Sequence, residues 1–277
     1  MTFRVMSFNI RGADHPQDGV NQWSQRWPLN VATIRKYAPD LIGFQELQDG
    51  NLSTYQAELT DYHYILGNDA SDHSEHPSIF WKPSALDLLD SGSFWISETP
   101  EVYSGSWNTD CVRAATWARL RDKSSGVNFL HLNTHLDHRS DWARTEGCRL
   151  LLRRITELRL NDLPVILTGD FNCDAYQPPQ DGAKDRADKN YRFLIDSGFV
   201  DTYLAAGNSD SDHSNTFHGF QGFKFADFGD WTGRIDWLLT LDGTHRFQVQ
   251  SAIIIRDNAA PVYPSDHYPI LAELAFG

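Results

Sequence analysis

The chain has 277 residues, of which 40% are hydrophobic and 22% charged, and its formal net charge is −13 at pH 7. These are globular values, and no run approaches the roughly 18 apolar residues of a membrane-spanning helix. Such acidity disfavours a protein that grips long duplex DNA, because those proteins usually present a basic face. It suits a divalent cation site, because hard cations prefer carboxylate oxygens. No linker, repeat or low-complexity tract divides the sequence, so we expect one domain over residues 1–277.

The cysteines are three in number and scattered, at Cys111, Cys148 and Cys173. An odd, dispersed set argues against a disulfide framework and fits a reducing compartment. The first residues, Met1–Val5, have a strand-like pattern and lack the charged and apolar segments of a secretory signal. We therefore expect a cytoplasmic protein, although trimming of an upstream signal, and hence a secreted form, stays open. Nothing indicates a protein partner.

Strand-like and helix-like patterns alternate through the first third of the chain. Strands are predicted at Phe3–Ile10, Leu41–Glu46 and Tyr62–Leu66, and helices at Pro28–Tyr37 and Asn51–Leu59. Pro28 would occupy the first turn of its helix, where a missing N–H costs nothing. A polar loop at 68–77 carries His73, Glu75 and His76. These side chains would suit a metal, but a solvated loop is the simpler interpretation, since isolated surface histidines are usually just solvated.

Four neighbouring strands are predicted next, and their proximity favours antiparallel hairpins: Ser78–Trp81, Leu86–Ile96, Val112–Leu120 and Val127–Thr134. The longest helix is predicted at Asp141–Leu160, from apolar positions at helical spacing. Later elements are a helix near Tyr191–Asp196, a strand at Gly233–Leu239 with Asp236 at its centre, a strand at Phe247–Ile255, and a final strand ending at Phe276.

The segment Pro164–Asn172 holds a short apolar run bounded by proline and glycine, which predicts a strand buried on both faces. Asp170 and Asn172 follow it. Because residues i and i+2 of a strand point to the same side, both side chains would project together from its end. The alternative is a strand followed by an ordinary Asx turn, since Asp and Asn favour turns.

Polar side chains that no local role demands stand beside several other predicted strands. They are Asn9, Glu46, His135, Asp170 with Asn172, Asp236, and Asp266 with His267. Carboxylates and amides are ligands for Mg²⁺ or Mn²⁺, a base would activate water, and imidazoles would stabilise a transferring phosphoryl group. The sequence has no phosphate-cradling glycine motif and no serine nucleophile elbow. The pattern therefore favours metal-dependent hydrolysis of a phosphoester.

Six short motifs resemble, in order, those of the endonuclease/exonuclease/phosphatase superfamily. They are Ser-Phe-Asn-Ile (7–10), Phe-Gln-Glu (44–46), Asn-Thr-His-Leu (133–136), Thr-Gly-Asp-Phe-Asn (168–172), Arg-Ile-Asp-Trp (234–237) and Ser-Asp-His-Tyr-Pro (265–269). The resemblance covers nearly the whole chain. It implies an α/β fold of the DNase I-like type, a four-layer α/β/β/α sandwich with two central mixed β-sheets.

The resemblance also implies where a Mg²⁺ or Mn²⁺ ion would bind. Glu46 would be the principal ligand, Asn9 would help to hold the ion, and Asp266 would lie beside it. Asp170 would orient and activate the attacking water for in-line displacement on a phosphodiester or phosphomonoester.

The remaining residues would handle the phosphate. Asn172 and His135 would bind it, and His267 would stabilise the charge that develops during transfer. Asp236 would pair with His267 and fix its ring. Such pairing would also offset the cost of burying an aspartate in an apolar strand.

One position departs from the exonuclease III-like branch, in which an Asp follows the first-motif Asn by two residues. Here that position is Arg11, which puts two-metal and apurinic-site models in doubt. Arg11 and Arg113 would contact substrate phosphate, with surface salt bridges as the alternative. The segments Arg113–Arg119 and Thr216–Gly219 look most like an uncharacterised bacterial branch of the superfamily.

The expected substrate is a phosphorylated small molecule, a nucleotide or a short nucleic acid. The alternatives are a non-catalytic phosphate-binding module on the same scaffold, since fold does not fix function, and a nuclease for single-stranded nucleic acid. Glycoside hydrolysis by paired carboxylates would be independent of metal and would persist in EDTA.

Overall fold

A computed structural model describes residues 1–67, 76–175, 187–211, 213–222 and 233–277. Its helices are α1 (Trp23–Tyr37), α2 (Asp49–Glu58), α3 (Asp141–Leu158), α4 (Lys189–Asp196) and α5 (Thr202–Ala205), with short 3-10 segments at Pro16–Asn21 and Leu160–Asp162. Within the described ranges, no helix is both long and apolar enough to cross a membrane.

Twelve strands in the described ranges form two six-stranded mixed sheets. The first sheet contains β1 (Thr2–Asn9), β2 (Leu41–Leu47), β3 (His63–Ile65), β4 (His76–Trp81), β11 (Phe247–Ile254) and β12 (Ile270–Phe276), in the order β11-β12-β1-β2-β4-β3. The second contains β5 (Leu86–Trp95), β6 (Ala114–Asp122), β7 (Asn128–His135), β8 (Val165–Asp170), β9 (Val200–Asp201) and β10 (Asp236–Leu241), in the order β5-β6-β7-β8-β10-β9.

The sheets pack face to face, and helices cover their outer surfaces. Side chains of both sheets, such as Val5, Leu120 and Ile166, form one buried cluster between them. A second cluster lies between the second sheet and the helices α3 and α4, and a third between the first sheet and the helices α1 and α2. This four-layer arrangement explains why β8 is buried along its whole length. The predicted α/β/β/α sandwich is confirmed.

Strand direction brings the polar strand ends to one edge of the sandwich. β1 pairs parallel with β2, and β7 pairs parallel with β8, so Asn9, Glu46, His135 and Asp170 all lie at carboxyl ends. β10 runs antiparallel to β8, which places Asp236, its first residue, directly opposite Asp170. β12 runs antiparallel to β1, so the 264–269 loop that precedes it reaches the same edge.

The structure corrects four local predictions. Helix α1 begins at Trp23, so Pro28 lies inside it and not in its first turn. Because the proline ring removes one N–H, the helix loses a hydrogen bond there, which packing must compensate. Asp236 begins its strand and does not occupy the centre of it.

Two further corrections concern the region of residues 68–96. The loop predicted at 68–77 ends early, because His76 begins β4; His73 and Glu75 lie outside the described residues. β4 and β5 do not pair as a hairpin, since the turn at Lys82-Pro83 carries the chain from the first sheet to the second.

Candidate active site

A cavity of about 660 Å³ opens at this edge of the sandwich. Eight of the ten predicted site residues line it: Arg11, Glu46, Arg113, His135, Asp170, Asn172, Asp266 and His267. The other two, Asn9 and Asp236, are fully buried and hydrogen-bond to cavity residues. The structure therefore brings all ten together, although they come from both sheets and from residues 9 to 267.

Glu46 and Asp170 are joined by one amide across the gap between the sheets. Asn9 Nδ2 donates to Glu46 Oε1 and to Asp170 Oδ2, each at 2.9 Å. Asn9 Oδ1 accepts from the backbone N–H of Arg11 at 3.0 Å. In this orientation Asn9 offers N–H groups to the carboxylates, so binding a cation through its oxygen requires the amide to turn over.

The two carboxylates differ in their electrostatic surroundings. Burial alone would raise the pKa of Glu46, but the Asn9 N–H group and the positive charges of His267 and Arg11 lower it below its ordinary value. Burial and the nearby charge of Asp236 raise the pKa of Asp170 to about 7. Asp170 also accepts from the backbone N–H of Asn172 at 2.9 Å, so the Asx turn and the clustered polar site are both present.

His267 and Asp236 form a buried pair. His267 Nδ1 lies 2.8 Å from Asp236 Oδ2, and His267 Nε2 points into the site, 3.7 Å from Asp170 Oδ2. Burial disfavours the charged ring, but Asp236 outweighs it and raises the pKa of His267 to about 10. The ring is therefore positively charged at neutral pH, next to the place where an anion would bind.

His135 has different neighbours from His267 and is neutral. Arg113 Nη1 lies 3.1 Å from His135 Nδ1, and Asn172 Nδ2 lies 3.0 Å from His135 Nε2. Burial and the positive charge of Arg113 lower the pKa of His135 well below 6.5. One cationic and one neutral imidazole thus flank Asp170.

Arg11 is held mainly by a residue that the motifs did not indicate. Its Nε and Nη2 atoms donate to the two carboxylate oxygens of Asp18, both at 3.1 Å. Its Nε atom also lies 3.8 Å from Asp266 Oδ2. The salt bridge that was the alternative for Arg11 is therefore present, and the guanidinium still lines the cavity.

Three cavity residues have a left-handed backbone that β-strands do not use. The φ angles are 52° at Arg11, 61° at Glu46 and 50° at Asn172. The pairing of β2 with β4 shifts register between Phe44 and Leu47, so Glu46 lies in a bulge. Such strain is uncommon outside glycine and clusters at functional sites, where it aims a side chain.

The donor set fits a hard divalent cation. Ligand atoms of Glu46, His135 and Asp170 fall within 4.8 Å of one another, and so do those of Asp170, Asp236 and His267. Burial, with the charge of Glu46, also raises the pKa of Asp266. The crowding of buried carboxylates leaves negative charge that a cation would offset, and oxygen ligands favour Mg²⁺ or Mn²⁺.

Some residues that shape the site were not indicated by any motif. Arg26 is fully buried and donates to five backbone carbonyls: those of Ile10, Arg11, Gly12, Asn21 and Pro264. It thereby ties the segment after β1 to the loop before β12. In the sequence Arg26 precedes the helix predicted at Pro28–Tyr37 and belongs to no motif, so no pattern could have singled it out.

Two other polar side chains orient the histidine pair and its loop. Thr216 Oγ1 accepts from the backbone N–H groups of Ile235 and Asp236, both at 3.0 Å. Ser265 Oγ donates to the carbonyl of Asn9 at 2.7 Å. Thr216 belongs to a segment that the sequence singled out only as a family-like pattern.

The cavity lining also includes residues to which sequence reasoning assigned no role in the site. They are Cys111, His138, Arg139, Phe217 and Ile235. The Phe217 ring lies 4.9 Å from the His267 ring. The lining of the cavity therefore includes apolar side chains as well as charged and polar ones.

Comparison with known proteins agrees with this geometry. The model of the endonuclease/exonuclease/phosphatase family matches residues 6–267. A mannosyl-6-phosphatase from Bacteroides thetaiotaomicron is 30% identical and superimposes with a TM-score of 0.84, covering 99% of this chain and 100% of that one.

Two relatives named nocturnin are more distant. The human nocturnin catalytic domain, solved with a bound sulfate, is 22% identical with a TM-score of 0.72, covering 100% of this chain and 95% of that chain. Nocturnin of Drosophila melanogaster is 28% identical over 171 residues, which is 56% of this chain but only 25% of that protein. The chain belongs to the endonuclease/exonuclease/phosphatase family, and its fold is the DNase I-like α/β sandwich.

Proposed function

We propose that the protein is a phosphoesterase that depends on Mg²⁺ or Mn²⁺. One observation carries the proposal: the buried carboxylate of Asp170 and the carboxylate of Glu46 share the Asn9 amide, next to a cationic His267 and a neutral His135. A cation, a base and an anion site within one cavity are what hydrolysis of a phosphoester requires.

Glu46 would hold the cation, with Asp266 beside it and Asn9 contributing once its amide is turned over. The bound ion would polarise a phosphoryl oxygen and offset its charge. Glu46 suits this part because its low pKa keeps it ionised, and its half-buried carboxylate faces the cavity. The strained φ of 61° fixes the direction of that side chain.

Asp170 would orient the attacking water and accept its proton. A pKa near 7 suits a general base at neutral pH, because such a group is both partly ionised and basic enough to take a proton. The water oxygen would form a bond to phosphorus in line with the ester oxygen that leaves. The leaving oxygen finally carries a proton, so an alcohol and a phosphate, or a phosphomonoester, result.

The histidines and Asn172 would stabilise the phosphoryl oxygens during transfer. His267 offers a positive charge, fixed in direction by Asp236 at 2.8 Å. His135, whose Nε2 lies 3.4 Å from Asp170 Oδ2, and Asn172 would offer N–H groups to the same anion. Donors held in place before the reaction stabilise developing charge without reorganising.

The substrate that we propose is a small phosphorylated molecule, such as a sugar phosphate. A cavity of about 660 Å³ is in the range of small-molecule sites, and the net charge of −13 opposes binding of long nucleic acid. One relative that matches along its full length is a mannosyl-6-phosphatase.

Hydrolysis of p-nitrophenyl phosphate and of bis(p-nitrophenyl) phosphate tests the reaction class. We expect turnover with Mn²⁺, none in EDTA, and a loss of about 10³-fold or more in Asp170→Asn. Asp122→Asn is the matched control, because Asp122 is also a buried aspartate. It lies at the end of β6 that is farther from the cavity. Equal turnover by Asp170→Asn and Asp122→Asn would refute the assignment of the base.

A second assay separates the candidate substrates and the alternatives. Mannose 6-phosphate and a short single-stranded oligonucleotide are each incubated with the enzyme and Mn²⁺. Release of inorganic phosphate from the sugar, with the oligonucleotide intact, supports the small-molecule proposal. Cleavage of the oligonucleotide alone indicates a single-strand nuclease. If no phosphoester is turned over but phosphate binds, the chain is a binding module.

A further inference from the structure

We infer that Arg113 is a positioning residue: it fixes the tautomer of His135, so that the Nε2–H group faces the substrate phosphate. This inference deepens the proposed function and rests on it only in naming a phosphate as the group that the ring faces. The tautomer, meaning which ring nitrogen of His135 carries the hydrogen, is a property of the free protein. Arg113 would act on the substrate through His135.

The first step is the contact between Arg113 Nη1 and His135 Nδ1, at 3.1 Å with both side chains buried. A guanidinium has only donors and keeps its protons in proteins, so Nδ1 must be the acceptor. A neutral imidazole has one acceptor nitrogen and one N–H group. If Nδ1 accepts, the hydrogen is on Nε2.

The second step is the position of Nε2. It lies 3.4 Å from Asp170 Oδ2 and 3.0 Å from Asn172 Nδ2. Asn172 Nδ2 donates to the carbonyl of Leu136 at 3.0 Å, which orients its amide with the nitrogen towards the ring. With the hydrogen on Nε2, the Nε2–H group lies beside the Asn172 N–H group, to which it cannot bond, and next to Asp170 Oδ2.

The third step concerns the hydrogen-bond acceptor that these two adjacent donors require. Side-by-side N–H groups, flanked by the charged Arg113, are complementary to an oxygen with lone pairs, such as a phosphoryl oxygen. The protonated ring is disfavoured at this place, since burial and Arg113 both oppose it. His135 consequently donates a hydrogen bond and keeps its hydrogen, whereas His267, paired with a carboxylate, provides the positive charge.

Ring nitrogen NMR measures the tautomer without any activity. Long-range ¹H–¹⁵N spectra of the histidines distinguish a bare nitrogen from one that carries hydrogen, and His135→Gln identifies the signals of His135. We expect a bare Nδ1 and a protonated Nε2 across neutral pH. In Arg113→Met the two tautomers would mix, whereas Arg139→Met, which removes another cavity arginine, would leave the signals unchanged.

A double-mutant cycle measures whether Arg113 acts through His135. Arg113→Met is compared in the native and the His135→Gln backgrounds, with Arg113→Lys as a variant that keeps the charge. We expect Arg113→Met to lower kcat more than about 10-fold alone, and less than about 3-fold when His135 is already replaced.

Two results would overturn the inference. One is a hydrogen on Nδ1 of His135 in the native protein, or a tautomer that Arg113→Met does not change. The other is an equal loss of kcat in both backgrounds, which would mean direct contact of Arg113 with phosphate. If the native protein hydrolyses no phosphoester, the proposed function fails, but the NMR result still decides the tautomer.

Discussion

Gly43 allows the two sheets to approach closely beneath the site, and its replacement by alanine is the most informative single perturbation. A Cβ atom at Gly43 would lie 2.2 Å from Thr168 Oγ1 and 2.6 Å from Asn133 Oδ1. Ordinary contact begins at 3.4 Å, so something must shift by about 1 Å. Because Thr168 and Asn133 are fully buried, we expect β2 and β8 to move apart. Glu46 follows Gly43 by three residues on β2, and Asp170 follows Thr168 by two residues on β8.

The expected magnitudes follow from that displacement. Overpacking in a well-packed core costs about 1–3 kcal/mol of unfolding free energy. Moving Glu46 away from Asp170 by about 1 Å would lower kcat/KM by about 10²-fold, because catalytic geometry tolerates little misplacement. A double variant that also lacks the Thr168 hydroxyl should recover part of the unfolding free energy and part of kcat/KM. The reason is that this oxygen is the nearest atom to the methyl group added by Gly43→Ala.

Urea unfolding and phosphoesterase kinetics with Mn²⁺ measure the two effects. Gly207→Ala is the matched control: Gly207 has a φ of 86° and no neighbouring atom within 4 Å, so its strain costs stability without moving the site. We expect Gly207→Ala to be destabilised yet fully active. Full activity of Gly43→Ala, with a stability change below about 0.5 kcal/mol, would show that the close approach of the sheets at Gly43 does not position the site.

Three further predictions concern other buried groups. Burial lowers the pKa of His131 to about 3, so the unfolded state binds a proton that the folded state lacks as pH falls below about 6.5. Stability should drop by up to about 1.4 kcal/mol per pH unit between about pH 6 and pH 4, less steeply in His131→Gln, as measured by urea unfolding. Asp137 accepts five hydrogen bonds from the 109–111 and 139–140 segments, so Asp137→Ala should lose about 3 kcal/mol of unfolding free energy. Asp236→Asn should lower kcat about 10²-fold, because His267 loses the carboxylate that stabilises its positive charge. In the same kinetic assay, exchanging Mn²⁺ for Mg²⁺ should not restore kcat.

Much of the fold could be predicted from the sequence, because buried strands have a strong local signature. Val165–Leu167, between a proline and a glycine, predicts β8, and the polar residues that follow predict a site at its end. The apolar spacing of α3 predicts that helix to within a few residues. The local pattern of apolar residues in these elements indicates which of their faces are buried, so a single sequence is enough to predict them.

What could not be predicted depends on contacts between distant segments. The connection from β4 to β5 resembles a hairpin locally, yet the strands join different sheets, because the inner face of each is apolar. The helix around Pro28 begins a turn earlier than its proline suggests, since tertiary packing overrides the local preference.

The same limit applies to the site. Its residue types were visible in the sequence, but the left-handed backbone of Glu46 and the neutral state of His135 were not. Arg26 and Thr216 fix loops through backbone groups, and no pattern of residue types marks such contacts. The roles assigned from the family resemblance stay predictions until the variants are assayed.

In the proposed function, hydrolysis depends on one hard cation that Glu46 and its neighbours would hold. Mn²⁺ binding to the metal-free protein, followed by electron paramagnetic resonance alongside p-nitrophenyl phosphate turnover, tests it most directly, with Glu46→Gln as the variant. We expect the native protein to bind Mn²⁺ and to gain turnover in parallel, and Glu46→Gln to bind Mn²⁺ at least about 10-fold more weakly. Turnover that persists in EDTA, or unchanged Mn²⁺ affinity in Glu46→Gln, would contradict it.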